Sequence, residues 1–255
     1  MSFEDKVVVI TGGAGGFGAA LANRFRQEGG RVYVGDIVKP PEGDGNGDRF
    51  MRMDVGREHD IRSLVDWVVG AEGRIDTFVS NAGITIPMDA HAAEHDWDRI
   101  VAVNQMSHVR VARHLVPIMS ARGGGQLIIT ASASSFQSEL MSIGYAATKY
   151  AAFAIAEWLA FTYRGAGLRV SALCPGPVRT PLLDGVPYLH PLAISPEQAA
   201  NVAFPLIAEG RFFIPTHPFT GDQWQQKAQD LDGYVDQLVA LKAQLSPAAS
   251  LPLPT

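Results

Sequence analysis

Short apolar runs alternate with longer segments of helical spacing along most of this chain, and this alternation limits the possible folds more than any other feature. The runs that predict strands cover residues 6–11, 31–36, 48–53, 77–80, 126–131, 168–174 and 211–215. Helical spacing is found between them, at residues 17–28, 58–71, 96–120 and 145–163. Strands that are apolar throughout and are separated by helices predict a parallel sheet covered on both faces. With right-handed crossovers, the α/β pattern predicts a Rossmann-type, doubly wound parallel sheet in a three-layer α/β/α sandwich.

Three segments depart from the alternating pattern. Residues 39–47 are rich in Pro and Gly and predict an exposed loop. Residues 180–195 read as a long irregular excursion, which in a compact domain is often a lid over a binding site. Residues 220–245 predict an extra C-terminal helix with an apolar stripe, and packing of that helix on the domain is favoured over binding of a partner. We therefore predict one dinucleotide-binding and catalytic domain over residues 1–245, followed by a Pro-rich tail at residues 246–255.

Composition excludes several classes of function. The chain has 21 basic and 26 acidic residues and a net charge of −5, which argues against nucleic acid as a partner. Its single cysteine rules out an internal disulfide framework and a Cys-rich zinc module. No apolar run approaches the roughly 18 residues of a membrane span, and the first residues do not resemble a signal peptide. We therefore expect a cytoplasmic protein. His91 and His95 are four residues apart but have no convincing third ligand, so we expect no metal site.

A glycine-rich turn, Thr-Gly-Gly-Ala-Gly-Gly-Phe-Gly at residues 11–18, lies between the first predicted strand and the first predicted helix. Glycines at this place let the backbone approach a pyrophosphate, whose charge is favoured at a helix N-terminus. Asp36 ends the next strand, where a carboxylate can accept hydrogen bonds from ribose hydroxyls and repel a 2′-phosphate. The turn contains no Arg or Lys, which favours NAD over NADP. The alternative is that Asp36 only caps its strand.

Tyr145 and Lys149 lie four residues apart at the start of a strongly helical segment, so they share one helix face. A phenol with an ordinary pKa of about 10 is a poor base at neutral pH, but a neighbouring ammonium favours the phenolate. The pair can therefore act as a general acid/base. Such pairs are also common on solvated helix faces. Ser132, at the end of the preceding strand, favours the catalytic interpretation because its hydroxyl can reach a substrate oxygen.

These motifs, in this order, resemble those of the short-chain dehydrogenase/reductase (SDR) family in its compact, single-domain form. The resemblance extends from residue 1 to about residue 215. It is carried by the glycine turn, Asp54-Val55, Asn81-Ala82-Gly83, Asn104, Ser132, the Tyr-x-x-x-Lys motif at 145–149, and Pro175-Gly176 with Thr180.

The resemblance implies a role for each catalytic residue. Tyr145 would exchange a proton with the substrate oxygen, and Lys149 would lower the pKa of Tyr145 and bind the nicotinamide ribose. Ser132 would hydrogen-bond the substrate oxygen. Asn104 would hold a water that links Lys149 to solvent. The residues implied to contact NAD are Gly12, Gly16, Phe17, Gly18, Asp36, Asp54, Val55, Asn81, Ala82, Gly83, Tyr145, Lys149, Pro175, Gly176, Val178 and Thr180.

The expected activity is NAD-dependent transfer of a hydride between the nicotinamide and a secondary alcohol or ketone. We expect an apolar or aryl substrate, although some of the pocket residues could simply pack the lid. The expected substrate contacts are Ser132, Phe136, Tyr145, Leu182, Leu183 and Tyr188. A homodimer or homotetramer built on the long helices is also expected. The competing hypothesis is a non-catalytic nucleotide sensor or scaffold, which should have lost Tyr145 or Lys149. A dehalogenase-like or lyase-like enzyme should also have lost the glycine turn.

The chain departs from the family pattern at three places. Ser80 precedes Asn81, where relatives often have Asn, and we expect the change to be tolerated. Ser134 is a less favoured rival to Ser132 as the catalytic serine. After the last strand the chain has Ile-Pro-Thr-His-Pro at residues 214–218 in place of an Asp-Gly-Gly turn. The resemblance therefore does not predict the C-terminal part of the substrate wall or the usual oligomer contacts.

Overall fold

The fold is a single seven-stranded parallel sheet with helices on both faces, seen in a computed structural model that describes residues 2–41 and 49–245. The strands are β1 (Val7–Thr11), β2 (Arg31–Asp36), β3 (Phe50–Arg52), β4 (Thr77–Ser80), β5 (Gly125–Thr130), β6 (Leu168–Cys174) and β7 (Phe213–Pro215). The helices are α1 (Gly16–Gln27), α2 (Glu58–Glu72), α3 (Glu94–Val101), α4 (Ser107–Ser120), α5 (Ile143–Tyr163), α6 (Pro196–Glu209), α7 (Phe219–Gln229) and α8 (Leu231–Leu245). The prediction of a three-layer α/β/α sandwich is confirmed. Most of the predicted loop at 39–47 and all of the predicted tail lie outside the described residues.

Successive side chains of β1 point to opposite faces of the sheet, where they join two separate apolar clusters. Val7 and Val9 belong to a core cluster under α2, α4 and α5. Val8 and Ile10 belong to a second cluster, under α1 and α6. All four side chains are fully buried, which is why this strand is apolar at every position.

The strand order β3-β2-β1-β4-β5-β6-β7 places the functional motifs at one edge of the sheet. From β1 the chain runs outward to β2 and β3, and then crosses back to β4 on the other side of β1. Ligands of open α/β sheets bind at such a reversal, outside the carboxyl ends of the strands. The glycine turn after β1 and Asn81 after β4 are therefore neighbours at this point.

The predicted helix at 96–120 is interrupted by a π-helical turn. Between α3 and α4, residues Ala102–Met106 form this turn, and it contains Asn104. Inserted turns of this kind are frequent at functional sites. Helical spacing in a sequence does not reveal a single inserted residue, so this feature was not predicted.

A helix that was not identified in the sequence, α6, covers one face of the sheet beside α1. Ser195 accepts a hydrogen bond from the amide of Gln198, whose side chain in turn accepts from the Ser195 amide. Together with Pro196 at the first helical position, this capping box is a recognisable start signal that sequence analysis could have used.

The predicted C-terminal helix at 220–245 is two helices, because Asp230 is extended (φ −146°, ψ 93°) and separates α7 from α8. The expectation that this region packs on the domain holds at Trp224 of α7, whose ring stacks on Phe136. On α8 it holds at Tyr234, whose hydroxyl accepts from the amide of Ser138, but not at Leu231 and Val239, which are 61% and 64% exposed. Within the described part of the chain, no helix has both the length and the apolar character needed to cross a membrane.

Candidate active site

The glycine turn between β1 and α1 cannot carry side chains at several positions, among them Gly16 and Gly18. Gly16 has φ +53°, and a Cβ atom there would lie 2.9 Å from Cγ2 of Thr180. A Cβ atom on Gly18 would lie 2.0 Å from the carbonyl oxygen of Gly12. Only glycine fits this close approach of the turn to the first helix.

Asp36, at the end of β2, has its carboxylate at the glycine turn. Its Oδ2 accepts a hydrogen bond from the amide of Ala14 at 3.0 Å, and its Oδ1 accepts from the amide of Val38 at 3.1 Å. The second bond is a strand-end cap, so the capping interpretation and the binding interpretation of Asp36 are compatible. The first bond orients the carboxylate toward the turn.

Asn81, just after β4, ties the ends of three strands together. Its side-chain amide donates to the carbonyls of Thr11 and Gly12 at 3.1 and 3.3 Å. Its Oδ1 accepts from the hydroxyl of Thr130 at 3.2 Å. Its backbone amide donates to Oγ1 of Thr11 at 3.0 Å. The Asn81 side chain therefore fixes the glycine turn in place.

The other residues predicted to contact the cofactor lie around this edge of the sheet. Asp54 follows β3 and accepts a hydrogen bond from the amide of Gly56 at 2.8 Å, while Val55 is buried in the core beside it. Gly176 follows β6, and a Cβ atom there would lie 2.6 Å from Nδ1 of His217. The structure thus places these residues at the carboxyl ends of the strands.

Ser142 positions the first turn of α5, which carries Tyr145. Its hydroxyl caps the helix by accepting from the amide of Tyr145 at 3.1 Å, and it donates to the carbonyl of Ile86 at 2.6 Å. The helix start is thereby pinned to the loop after β4.

Lys149 and Tyr145 meet on one face of α5, as their spacing predicts. The Lys149 Nζ atom lies 5.6 Å from the centroid of the Tyr145 ring and donates to the carbonyl of Thr130 at 2.9 Å. Lys149 is only 3% exposed, and this burial lowers the pKa of its ammonium to about 8. The amino group can therefore gain or lose a proton close to neutral pH.

The pKa of Tyr145 is raised above its usual value, in the opposite direction to the expected lowering. Burial is the largest cause, and the negative charge of Glu139 adds to it, whereas a hydrogen bond between the hydroxyls of Ser132 and Tyr145 lowers the pKa in part. In the protein alone the phenol is therefore protonated at neutral pH and is available as an acid.

Ser132 begins a short 3₁₀ turn, Ala133–Ser135, that joins the end of β5 to the catalytic helix. Its hydroxyl accepts a hydrogen bond from the amide of Ser134 at 3.0 Å. The hydroxyl of Ser135 donates to the carbonyl of Lys149 at 2.6 Å, a link that sequence analysis missed. The turn thus holds Ser132 beside Tyr145.

Asn104 is fully buried in the π-helical turn and fixes the loop after β4. Its Oδ1 accepts from the amide of Ile84 at 2.8 Å, and its Nδ2 donates to the carbonyl of Ile84 at 2.8 Å. Ser80, the departure from the family pattern, lies behind this loop with its hydroxyl 2.7 Å from Nδ1 of buried His108. Burial lowers the pKa of His108 to about 3, so the ring is neutral.

The predicted lid is a loop whose two ends meet at its base. Val178 and Ile194 form an isolated bridge at its base, and two 3₁₀ segments, Pro181–Leu183 and Pro187–Leu192, make up most of its length. A cavity of about 440 Å³ is lined by lid residues that include Thr180 and Leu183. Leu182 and Tyr188 are half-buried in the same segment.

Phe136, predicted to contact substrate, lies in an aromatic cluster under α7. It is 5% exposed, its ring stacks on Trp224 at a centroid distance of 4.5 Å, and Phe153 and Phe213 meet it edge-on. The structure therefore gives Phe136 a packing role, because Trp224 covers its face.

Two groups of residues at the substrate end were not identified from the sequence. Glu139 accepts a hydrogen bond from the Tyr188 hydroxyl at 2.5 Å. Lys227 of α7 donates to the carbonyl of Phe136 at 2.9 Å, and the hydroxyl of Tyr234 of α8 accepts from the amide of Ser138 at 2.6 Å. These contacts join segments far apart in the chain, and no local motif marks them.

His91 and His95 are both exposed, on the segment that leads into α3. Across residues 2–41 and 49–245, no group of three or more His, Cys, Asp or Glu side chains is arranged to hold a metal ion.

Comparison with known proteins identifies the family. A family model described as short chain dehydrogenase matches residues 6–187. The chain belongs to the short-chain dehydrogenase/reductase family. This SDR is 34% identical to a 3-oxoacyl-(acyl-carrier-protein) reductase of Thermotoga maritima, over 84% of this chain and 87% of that protein. It is 32% identical to a 1-deoxy-11-beta-hydroxypentalenate dehydrogenase of Streptomyces exfoliatus, over 84% of each chain.

A solved SDR structure from Burkholderia phymatum, in complex with NAD, matches this SDR with a TM-score of 0.80 and 26% identity, over 91% of this chain and 96% of that one. The family and these relatives show that the chain is an oxidoreductase with a Rossmann-type fold.

Proposed function

We propose that this SDR is an NAD-dependent oxidoreductase that interconverts a secondary alcohol and a ketone, with Tyr145 as general acid/base. The observation that carries the proposal is the meeting of Tyr145, Ser132 and Lys149 at the carboxyl edge of the sheet, next to the glycine turn. A non-catalytic sensor or scaffold is not favoured, because this constellation is complete.

The residues at the switch point fit a dinucleotide. The turn leaves no room for a Cβ atom at Gly16 or Gly18, and the Asp36 carboxylate is oriented toward it. Asp36 would hold the adenosine ribose and repel a 2′-phosphate, which favours NAD over NADP. Lys149 would bind the nicotinamide ribose, and Val178 and Thr180 the carboxamide. The bound nicotinamide would supply the hydride acceptor or donor.

The chain's own groups would handle the proton. The Tyr145 hydroxyl gives its proton to the substrate oxygen in reduction and takes it back in oxidation. Ser132 donates a hydrogen bond to the same oxygen, where negative charge develops. Lys149, with a pKa of about 8, supplies positive charge beside the phenol and can relay the proton. Asn104 keeps the loop after β4 in position beside Lys149 and would hold the relay water.

We infer an apolar or aryl substrate from the lid. Leu182, Leu183 and Tyr188 are half-buried there, and Leu183 lines the lid cavity of about 440 Å³. The catalytic unit would be one domain over residues 1–245, working in the cytoplasm.

We also infer a homodimer or homotetramer. On α5, Ala152 and Ala156 are fully buried against the sheet, while Trp158 and Phe161 on the outer side are 51% and 67% exposed. An apolar outer face of this kind is typical of a helix that packs against another subunit.

The test of Tyr145 as acid/base is its replacement by Phe, with Tyr163→Phe at the other end of α5 as the matched control. We expect Tyr145→Phe to lose about 10²–10⁴-fold in turnover. NADH affinity, measured by fluorescence, should stay close to that of the parent. Turnover of Tyr145→Phe equal to that of Tyr163→Phe would remove Tyr145 from the mechanism.

A further inference from the structure

We propose that Glu139 determines the charge preference of the substrate pocket and disfavours substrates that carry an anionic group away from the reacting carbon. This inference rests on the proposed function and names the class of substrate that the same site selects. Glu139 lies between the Ser132 turn and α5, on the wall that faces the lid.

Both oxygens of the Glu139 carboxylate are held in place. Oε1 accepts from the hydroxyl of Tyr188 in the lid at 2.5 Å, and Oε2 accepts from the amide of Met141 at 2.8 Å. Two hydrogen bonds from opposite sides fix the direction of the carboxylate, so its charge occupies a defined place in the wall.

The charge of Glu139 is not neutralised locally. In the described part of the chain, no Lys, Arg or His lies within ion-pair distance of Glu139. The two groups that bind its carboxylate, a phenol and a backbone amide, are uncharged. Lys227, a cation on the same wall, is bound to the Phe136 carbonyl and the Tyr150 hydroxyl and makes no ion pair with Glu139.

The field of Glu139 reaches the reacting end of the site. Its negative charge contributes to the raised pKa of Tyr145, whose hydroxyl is the proposed proton donor. A substrate that binds Tyr145 and extends toward Tyr188 in the lid would lie near the carboxylate that Tyr188 binds, where a like charge is disfavoured.

The C-terminal helices bind the segment that leads to Glu139. Lys227 donates to the carbonyl of Phe136 at 2.9 Å, and Tyr234 accepts from the amide of Ser138 at 2.6 Å. The segment just before Glu139 is therefore held by α7 and α8, while Tyr188 holds Glu139 itself from the lid.

A purely structural role for Glu139, as the partner that holds Tyr188 and closes the lid, makes a different prediction. Glu139→Gln removes the charge and keeps both links, because its oxygen can accept from the Met141 amide while its Nε2 group donates to the Tyr188 hydroxyl oxygen. Tyr188→Phe removes the link to the lid and keeps the charge. Only a charge effect distinguishes two substrates of the same shape, one anionic and one neutral.

The experiment compares kcat/KM for 4-acetylbenzoate and 4-acetylbenzamide with NADH, since these ketones match in shape and differ by one charge. We expect the parent to prefer the amide, and Glu139→Gln to raise the benzoate-to-amide ratio by about tenfold, the size expected for one nearby like charge in a partly solvated site. Tyr188→Phe should change both substrates by the same factor. Glu197→Gln, which removes an exposed carboxylate at the start of α6, should leave the ratio unchanged.

An unchanged ratio in Glu139→Gln would overturn the proposal, as would a ratio shift in Tyr188→Phe as large as that in Glu139→Gln. Absence of turnover of either ketone by the parent would speak against the alcohol/ketone assignment and not against Glu139. Calorimetry would then measure the dissociation constants of the same two compounds for the NADH-loaded protein. The ratio of the two constants, compared between the parent and Glu139→Gln, would test the role of Glu139.

Discussion

The backbone around the glycine turn and the backbone around the lid are held in different ways. At the cofactor side, Asn81 and Thr11 connect the ends of adjacent strands, so the sheet itself sets the geometry. At the substrate side, the long side chains of Lys227, Tyr234 and Tyr188 reach across from helices and loops outside the sheet.

This difference predicts that the substrate wall can change while the cofactor side stays the same. A change in the register of the strands would disturb the whole core, whereas a change of one long side chain on α7, α8 or the lid alters only the local wall. Functional loops on a rigid scaffold commonly divide the work in this way. We expect substitutions on the two sides to have separable effects.

Among the substitutions that test this comparison, the largest effect should come from the serine at the boundary between the two sides. Ser132→Ala removes the hydrogen bond to the substrate oxygen, so kcat should fall about 100-fold, as on loss of one donor to a developing oxyanion. Steady-state kinetics of the ketone reduction would measure the loss.

Ser134→Ala is the matched control, because Ser134 offers the same hydroxyl two residues away in the same turn. It should leave kcat within about threefold of the parent, since substitutions away from the reacting groups seldom have larger effects. A greater loss in Ser134→Ala than in Ser132→Ala would reverse the assignment of the catalytic serine.

A methyl group in the glycine turn should destabilise the cofactor side. In Gly18→Ala the added Cβ would meet the Gly12 carbonyl oxygen at 2.0 Å, so the backbone must shift. We expect a loss of ~1–3 kcal/mol in the free energy of unfolding, measured by denaturant titration without cofactor.

Gly15→Ala serves as its control, because a Cβ at Gly15 has no atom within 4 Å. Its unfolding free energy should stay within about 0.5 kcal/mol of the parent. Equal destabilisation by both substitutions would show that the turn is not tightly packed.

A substitution at the end of β2 should change the preference between NAD and NADP and should leave the substrate preference unchanged. Asp36→Asn can keep an acceptor for the Ala14 amide and removes the charge that repels a 2′-phosphate. We expect the preference for NAD over NADP to fall by about tenfold, the size of one lost charge interaction near a surface. The ratio of kcat/KM for the two cofactors measures it, and an unchanged ratio would leave Asp36 only its capping role.

The smallest effect should come from the C-terminal helices. Lys227→Met removes the bond to the Phe136 carbonyl and loosens the substrate wall, so KM for the ketone should rise about threefold, the cost of one hydrogen bond. NADH affinity should not change. Lys242→Met, an exposed lysine on α8, is the control, and a parallel loss of NADH affinity in Lys227→Met would contradict the separation of the two sides.

Much of the cofactor side could be predicted from the sequence, because its determinants are local. The apolar strands at 77–80 and 168–174 were placed with the bounds that the structure gives, and the glycine turn follows β1 as expected. Tyr145 and Lys149 share a helix face because their spacing fixes it.

The substrate side could be predicted less well, because its determinants are tertiary. The sequence predicts Phe136 as a pocket residue, whereas the structure covers its ring with Trp224. No local motif near residue 139 indicates that Tyr188 is its partner. The extended backbone at Asp230 divides the predicted last helix into two. The apolar stripe in the sequence continues across this residue and therefore does not predict the break.

The most direct test of the account is the formation of NADH from NAD and a panel of secondary alcohols, followed by absorbance, with NADP in parallel. The account predicts turnover of at least one apolar or aryl alcohol with NAD and little with NADP. Preference for NADP would contradict the role given to Asp36. Binding of NAD without oxidation of any alcohol or reduction of any ketone would contradict the proposed activity itself.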